Sequence, residues 1–470
     1  MQAGTPLKDL LFPYGVEFPC GGKGRCRGCR VRVLDGAIEP KPEEAAILTP
    51  AEIREGWRLA CRATADQDCV LEIAQFEAAI LADHSRFRFK ARSGQGVAID
   101  LGTTTIVAQL LDLPSAKVLA VRAGLNPQAA FGADIMSRVQ FALQGGDLTT
   151  PIRRRLAQMI DELEPAGPPD VVVVGNTVMH HLCCGLDVTP LSHYPFETPY
   201  LDAARVDLGN GVAALFLPNL GSFVGSDILA GILATGLHES DEPCALIDLG
   251  TNGEIVVGNR RRMVCASTAA GPAFEGGRIS MGMRAQTGAI AEVSTNGRAF
   301  RCSVIGGGAA RGICGSGLVD AVAAALDLGL IHPSGRLADG VISLVDGVCI
   351  NQADVRELQL AKGAIAAGIG ILVRRWGIRI EEISRVYLAG AFGNYINRTS
   401  ARRIGLLPFP EEKVEAAGNT ALRGAKIALF EESRDFSELR ARIEHIPLGS
   451  DPEFQENFVA SLAFPVGDGG

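Results

Sequence analysis

Apolar and polar positions alternate in short runs through the first seventy-five residues, then settle into a longer rhythm of strands and helices. The run Cys29-Arg-Val-Arg-Val-Leu34 alternates strictly and stops at Asp35-Gly36, the pattern of a half-buried strand ended by a turn. Residues 43–57 carry helical spacing, and 69–74 reads as a closing strand, so residues 1–75 are expected to form one compact unit. Residues 76–96 lose the periodicity, turn basic (Arg86, Arg88, Lys90, Arg92) and end in Ser93-Gly94-Gln95-Gly96, which reads as a linker.

From Val97 onward strands alternate with helices and glycine sits at the turns, the pattern of an α/β protein. Strands are expected at 97–101, 105–112 and 117–125, helices at 131–144 and 152–164, and a buried strand at 171–174. The second half opens the same way, with strands at 245–249, 254–257 and 262–266. Helices at 316–328 and 353–376 and a strand at 385–388 follow. The expected division is a first lobe over 97–243 and a second over 244–470.

At 470 residues the chain exceeds what one hydrophobic core serves. Its 47% hydrophobic and 21% charged residues fit a soluble globular protein. A net charge of −8 argues against nonspecific nucleic-acid binding. Residues 1–18 lack the apolar core of a signal peptide, and the apolar stretch 364–373 between Lys362 and Arg374 is too short to span a bilayer. A cytoplasmic location with no membrane and no nucleic-acid partner is expected. Twelve cysteines in such a chain are not a disulfide framework. Eight show no metal-ligand spacing, and buried small apolar positions are expected for them.

The candidate chemistry begins with an internal echo. Ala98-Ile-Asp-Leu-Gly-Thr-Thr-Thr-Ile-Val107 and Leu246-Ile-Asp-Leu-Gly-Thr-Asn-Gly-Glu-Ile255 each join an apolar strand, an Asp, a Gly-Thr turn and another strand. Gly102 and Gly250 admit a polyphosphate close to the backbone, where a side chain would clash. Thr103, Thr104, Thr251 and Asn252 add hydrogen-bonding side chains, and Asp100 and Asp248 can hold hydrated Mg²⁺. A third cluster, Leu388-Ala-Gly-Ala-Phe-Gly-Asn394, follows a strand and opens a helix, which makes Gly390, Ala391, Gly393 and Asn394 candidate nucleotide contacts. Residues 97 to about 430 resemble the superfamily of actin, sugar kinases and Hsp70 (ASKHA). Its two RNase H-like lobes close on ATP, with the repeated turns on the phosphates and the late glycine element toward adenosine.

Second-rank residues each have a plainer alternative. Asp227, in Gly225-Ser226-Asp227, is placed to orient an attacking water or simply to start a helix. Glu275, in a glycine-rich loop, is a similar candidate in the second lobe or part of a tight turn. Gly312-Ile-Cys-Gly-Ser-Gly317 is either a hinge between lobes or a close helix–strand contact. His180 and His181 beside Cys183 and Cys184 fall in one apolar helical stretch without carboxylates, and packed core side chains are expected.

The strongest local signal is Cys20, Cys26, Cys29 and Cys61, spaced C-x5-C-x2-C and then 31 residues to a lone cysteine. Zinc ribbons usually pair two short knuckles; a glycine-rich loop with three cysteines and one distant partner is the arrangement of a plant-type [2Fe–2S] ferredoxin. Cys69 is the rival fourth ligand. Ferredoxins of this kind usually begin with a β-hairpin, whereas only about nineteen residues precede Cys20 and most look helical. Lys23, Arg25, Arg27, Arg30 and Arg32 make the rim basic, either a solvated face or a dock for an acidic electron donor.

A small α+β (β-grasp) ferredoxin unit before a two-lobed ATPase resembles the reductive activators of corrinoid proteins. The resemblance extends through Cys265-Ala-Ser-Thr-Ala-Ala-Gly-Pro-Ala-Phe-Glu275, Gly312-Ile-Cys-Gly-Ser-Gly317, Tyr387-Leu-Ala-Gly-Ala-Phe-Gly-Asn-Tyr-Ile396 and Ser450-Asp-Pro-Glu-Phe-Gln-Glu-Asn-Phe458, nearly the whole chain. It implies a [2Fe–2S] cluster, ATP and Mg²⁺ as cofactors, and the corrinoid protein of a methyltransferase system as partner. An electron donor of the flavodoxin, ferredoxin or reductase class is implied too. The implied activity is ATP-dependent reduction of inactive Co(II) corrinoid to Co(I). Longer members carry an additional middle domain; here the linker runs straight into Val97, and whether the chain forms a homodimer is left open. Competing readings are a small-molecule kinase with a redox-sensing domain, an activator of a radical-type dehydratase, and a scaffold that holds nucleotide as a structural ligand.

Overall fold

The alternation of Cys29–Leu34 becomes the central strand of a small antiparallel sheet. The computed structural model describes residues 5–11, 16, 24, 29–73, 87–132, 134–209, 211–297, 299–345, 347–431 and 433–466. The N-terminal strands are β1 (Thr5–Pro6), β2 (Arg30–Asp35), β3 (Trp57–Leu59), β4 (Thr64–Ala65) and β5 (Val70–Ile73), with β3-β2-β5 forming one sheet and β1-β4 another. Val31 and Leu59 turn inward onto Leu7, Val16 and Leu48. Among the described residues before Cys20, the expected helix is limited to Leu7–Leu11.

The helix expected over 43–57 is broken. A 3-10 turn (Pro42–Ala46) is followed by a separate short helix (Pro50–Arg54), and Trp57 already belongs to β3. Pro50 cannot continue a helix that arrives from upstream but suits the first position of a new one. Thr49 and Glu52 close a capping box around it, with Glu52 N–H donating to Thr49 Oγ1 at 3.2 Å and Thr49 N–H to Glu52 Oε2 at 2.8 Å.

The first large sheet holds β6 (Gln95–Leu101), β7 (Thr105–Asp112), β8 (Lys117–Leu125), β9 (Asp170–Val174), β10 (Ala204–Gly209) and β11 (Val212–Phe216), in the order β10-β11-β9-β6-β7-β8. The second starts with β12 (Cys244–Leu249), β13 (Gly253–Gly258) and β14 (Met263–Thr268). Smaller pairings follow in β15 (Ala289–Thr295), β16 (Phe300–Val304), β17 (Gly312–Ile313), β18 (Val341–Val345) and β19 (Val348–Asn351). The sheet is completed by β20 (Arg385–Ala389), β21 (Val414–Gly418) and β22 (Ile443–His445), in the order β21-β20-β12-β13-β14-β22. In each sheet an antiparallel meander of three strands is extended by two parallel strands beside its first member. The echo in sequence is therefore a duplicated topology, the α/β two-lobed class expected above.

A pair of helices, Ser226–Thr235 and Thr420–Phe430, lies between the two sheets. Their buried side chains share one core with Ala98, Val172 and Val174 of the first sheet and Leu246 and Val256 of the second. The pair crosses closely: a Cβ built on Gly424 would stand 2.0 Å from the carbonyl oxygen of Ala230. On the outer face the long helix Gln352–Trp376 packs against β13 and β14. The helix expected at 131–144 starts later, at Ile135, because Asn126 and Pro127 set up a 3-10 turn and Asp134 then caps the helix, accepting from Ser137 N–H at 2.8 Å. No described helix is long and apolar enough to cross a membrane.

Candidate functional site

The two Asp-Leu-Gly-Thr turns open into the same cleft, of about 1780 Å³, between the lobes. Asp100 ends β6 beside Val174 of β9, and Asp248 ends β12 beside Glu254 of β13 and Ala389 of β20. Asp227, on the first turn of the Ser226–Thr235 helix, and Glu254 complete a set of four carboxyls lining the cleft. Among the described residues none of the four forms an ion pair with Lys, Arg or His. Burial, then repulsion from Asp100, pushes Asp248 up to about 7. Burial with Asp248 and Asp100 close by pushes Asp227 up to about 8. Glu254 is raised well above the ordinary carboxyl range by burial and then by Asp227 and Asp248. Asp100 is raised to about 6 by burial, against the lowering influence of Asn419, whose amide donates to Asp100 Oδ2 at 2.9 Å.

Such a set is unfavourable on its own and suits a divalent cation. Among the described residues no three His, Cys, Asp or Glu side chains converge closely enough to ligate a metal directly. The fit is therefore to a hydrated ion held through its waters, as Mg²⁺ usually is.

The turns differ in what they ask of glycine. Gly102 N–H closes on Thr105 O at 3.1 Å, and a Cβ on Gly102 would sit 2.5 Å from that oxygen, so the turn itself demands glycine. Gly250 N–H closes on Asn252 O at 2.9 Å, yet a Cβ there would meet nothing nearer than 3.6 Å. The fold tolerates alanine at Gly250, and its bare backbone leaves room on the cleft side for a phosphate-sized group. Thr103 accepts from the Asn176 amide at 2.9 Å, Thr251 donates to Glu275 Oε2 at 2.9 Å, and Thr104 and Asn252 line the cleft. Gly390 adopts φ +80°, and a Cβ on it would strike Asp248 Oδ1 at 2.6 Å. Gly393 is buried against Leu388 and lies off the cleft lining; the side chains of Ala391 and Asn394 are outside those described.

Three cleft residues escaped the sequence reading: Glu254, Asn176 and Asn419. Glu254 had a signal, a lone charge at the head of the apolar run Ile255-Val-Val257. Asn419 had only the look of a helix cap, because its partner Asp100 is 319 positions away. The Gly312–Gly317 tract resolves to close packing: Cβ atoms on Gly315 and Gly317 would lie 1.9 Å from Phe274 O and 2.2 Å from Ile290 O. His180 and His181 are buried; His181 bonds Thr177 O and Thr198 Oγ1, both at 2.8 Å, and His180 stands edge-on to Phe216. Cys183, Cys244, Cys265 and Cys314 are buried, and Cys69, Cys184, Cys302 and Cys349 half-buried.

Cys20 and Cys26 lie outside the described residues. Cys29 is buried just before β2, and Cys61 follows β3, which pairs with β2 through Arg30 and Leu59. Ala60 N–H donates to Cys29 O at 2.9 Å, so the segments bearing Cys29 and Cys61 run side by side. Cys69 packs beside Gly36, past the other end of β2, a strand of six residues that spans about 20 Å. Cys29 and Cys61 thus share one end of β2, and Cys69 lies at the other. The N-terminal unit also touches the second lobe at the cleft. Arg30 and Arg311 of the second lobe stand over the Trp57 ring, 5.6 and 5.3 Å from its centroid, and Ile47 and Trp57 form part of the cleft wall.

Comparison with known proteins covers the whole chain. Residues 2–66 match the family described as 2Fe-2S iron-sulfur cluster binding domain, residues 95–240 the RACo middle region, and residues 242–469 the C-terminal domain of RACo, the ASKHA domain. The middle region, expected above only as an addition in longer members, is thus present, in the stretch read as the first lobe. A corrinoid activation enzyme, RamQ, of Eubacterium limosum is 35% identical over 417 residues, covering 78% of this chain and 70% of that one. A [Co(II) methylated amine-specific corrinoid protein] reductase of Methanosarcina barkeri is 28% identical over 425 residues, 78% of this chain and 77% of that one. A solved reductive activator for corrinoid, iron-sulfur protein superposes with a TM-score of 0.70 at 28% identity, covering 100% of this chain and 97% of that one.

Proposed function

The chain belongs to the family of reductive activators of corrinoid proteins, and from that premise we propose that it couples ATP hydrolysis to the reduction of a partner's cobalt from Co(II) to Co(I). The observation that carries the reading is the four-carboxyl cleft between duplicated lobes, with a ferredoxin-type unit seated on its wall. Cys20, Cys26, Cys29 and Cys61 would hold a [2Fe–2S] cluster, which would supply one-electron chemistry, and an external donor of the flavodoxin, ferredoxin or reductase class would provide the electrons.

Co(II) corrinoids are hard to reduce, and each ~59 mV of uphill one-electron gap is a tenfold penalty at equilibrium. Nucleotide binding helps only if the lobes hold the corrinoid protein in states of different affinity. In this reading Asp100 and Asp248 would hold hydrated Mg²⁺, which would offset the charge of the phosphates. Gly102, Thr103, Thr104, Gly250, Thr251 and Asn252 receive the phosphates, and Gly390 lies toward adenosine. Asp227 orients the attacking water, and Glu275 fixes Thr251 within the second lobe.

Asp248→Ala is expected to abolish ATP-dependent reactivation of a Co(II) corrinoid protein while leaving the visible spectrum of the cluster unchanged. Full reactivation by that variant would refute the coupling. ATP turnover driven by a sugar or carboxylate, with no partner protein, would instead favour the small-molecule kinase.

A further inference from the structure

Asn419, which bonds Asp100 in the cleft, begins the Thr420–Phe430 helix, and the far end of that helix is held by the segment leading out of the iron–sulfur unit. Phe87 and Phe89 pack on Phe430 with ring centroids 5.4 and 5.0 Å apart, and Lys426 Nζ stands 6.0 Å over the Phe87 ring. Arg92 donates to Leu429 O at the C-terminal end of the helix and to Asp170 Oδ2 at 3.0 Å. Arg434, just beyond the helix, donates to the same two groups, to Asp170 through both terminal guanidinium nitrogens and to Leu429 O through Nη2 at 3.2 Å. The 11-residue helix is about 16 Å long and is locked against its neighbour at Gly424. That neighbour, Ser226–Thr235, carries Asp227 into the same cleft.

We propose that the Thr420–Phe430 helix is a rigid link that transmits the state of the nucleotide cleft to the tether of the iron–sulfur unit. The inference rests on the nucleotide reading above. A ligand that draws Asp100 toward bound Mg²⁺ competes with Asn419 for that carboxylate. A packed helix pair has no soft point at which to absorb the change, so the displacement reaches Leu429, Phe430 and the residues 87–92 clamped on them. The aromatic and guanidinium contacts at the far end thus make the state of residues 87–92 depend on nucleotide.

The test is amide hydrogen exchange on the full-length, cluster-loaded protein, with and without Mg²⁺ and a non-hydrolysable ATP analogue whose binding is measured separately by calorimetry. Exchange over 87–92 should change by about fivefold or more, the lower end of ordinary allosteric coupling. Phe89→Ala, a truncation at a position 40% exposed, should leave analogue affinity within twofold and erase the response of 87–92. Arg92→Gln, which leaves Asp170 with Arg434, should weaken it as well. Analogue binding with no change over 87–92, or an unaltered change in both variants, overturns the link. Failure of the analogue to bind overturns instead the nucleotide reading beneath it.

Discussion

Gly424→Ala is a substitution for which secondary-structure propensity and packing predict opposite signs. Within a helix, alanine is favoured over glycine by about 1 kcal/mol, so propensity alone makes the variant more stable. The geometry says otherwise. The new methyl would stand 2.0 Å from Ala230 O, 2.3 Å from its carbonyl carbon and 2.5 Å from its Cα, all backbone atoms of the neighbouring helix. No side chain can swing aside, and the two helices must separate by more than an ångström. That separation loosens a core in which Leu422, Ala425, Ala428 and Leu429 are buried against both sheets. Overpacking of this kind costs about 3 kcal/mol at the upper end of its usual range, which leaves a net loss of about 2 kcal/mol after the propensity gain. Thermal and urea unfolding of wild type and variant, read by circular dichroism, measures it. A Gly424→Ala protein as stable as wild type, or more so, would refute the close helix crossing and the rigid link built on it.

Two further outcomes follow from the cleft and the cysteine loop. Cys61→Ser should lose bound iron and the visible cluster absorbance, while Cys69→Ser keeps both; the reverse pattern would move the fourth ligand across the sheet. In cation-free buffer the raised Asp100, Asp248 and Asp227 make the folded state hold more protons than the unfolded chain, from about pH 4, the ordinary carboxyl range, to about 8, the value for Asp227. Stability contributed by these groups therefore falls as pH rises through that window. Asp227→Asn removes one ionisable partner, so it should flatten the decline, raising the melting temperature at pH 8 more than at pH 5. Parallel pH profiles for the two proteins would show that the fold does not raise Asp227 above the ordinary carboxyl range.

Local chemistry was readable from residues wherever a feature depends on its immediate neighbours. The Asp-Leu-Gly-Thr turns, the Cys29–Leu34 strand and the 353–376 helix, observed over Gln352–Trp376, all have their signals within a few positions. The 43–57 stretch was misread because the apolar spacing runs on across Thr49-Pro50, and only the cap chemistry there marks the restart of the helix. Gly102 and Gly250 look identical in sequence, yet only the first is required by its own turn, a distinction that needs the position of Thr105 O. Asn419 meets Asp100 only because the two sheets face each other across the cleft, and Glu254 faces Asp248 through the β12-β13 pairing. The clamp of 87–92 on Phe430 hid inside a stretch whose lost periodicity reads only as linker.

The most direct test of ATP-gated reduction is a single turnover. The protein is reduced at its cluster, freed of excess donor, and mixed with a Co(II) corrinoid protein in the presence of Mg-ATP, Mg-ADP or no nucleotide, while the Co(I) spectrum is followed. The account predicts that about one cobalt is reduced per reduced cluster with Mg-ATP and almost none otherwise. Equal Co(I) formation in all three mixtures would contradict it.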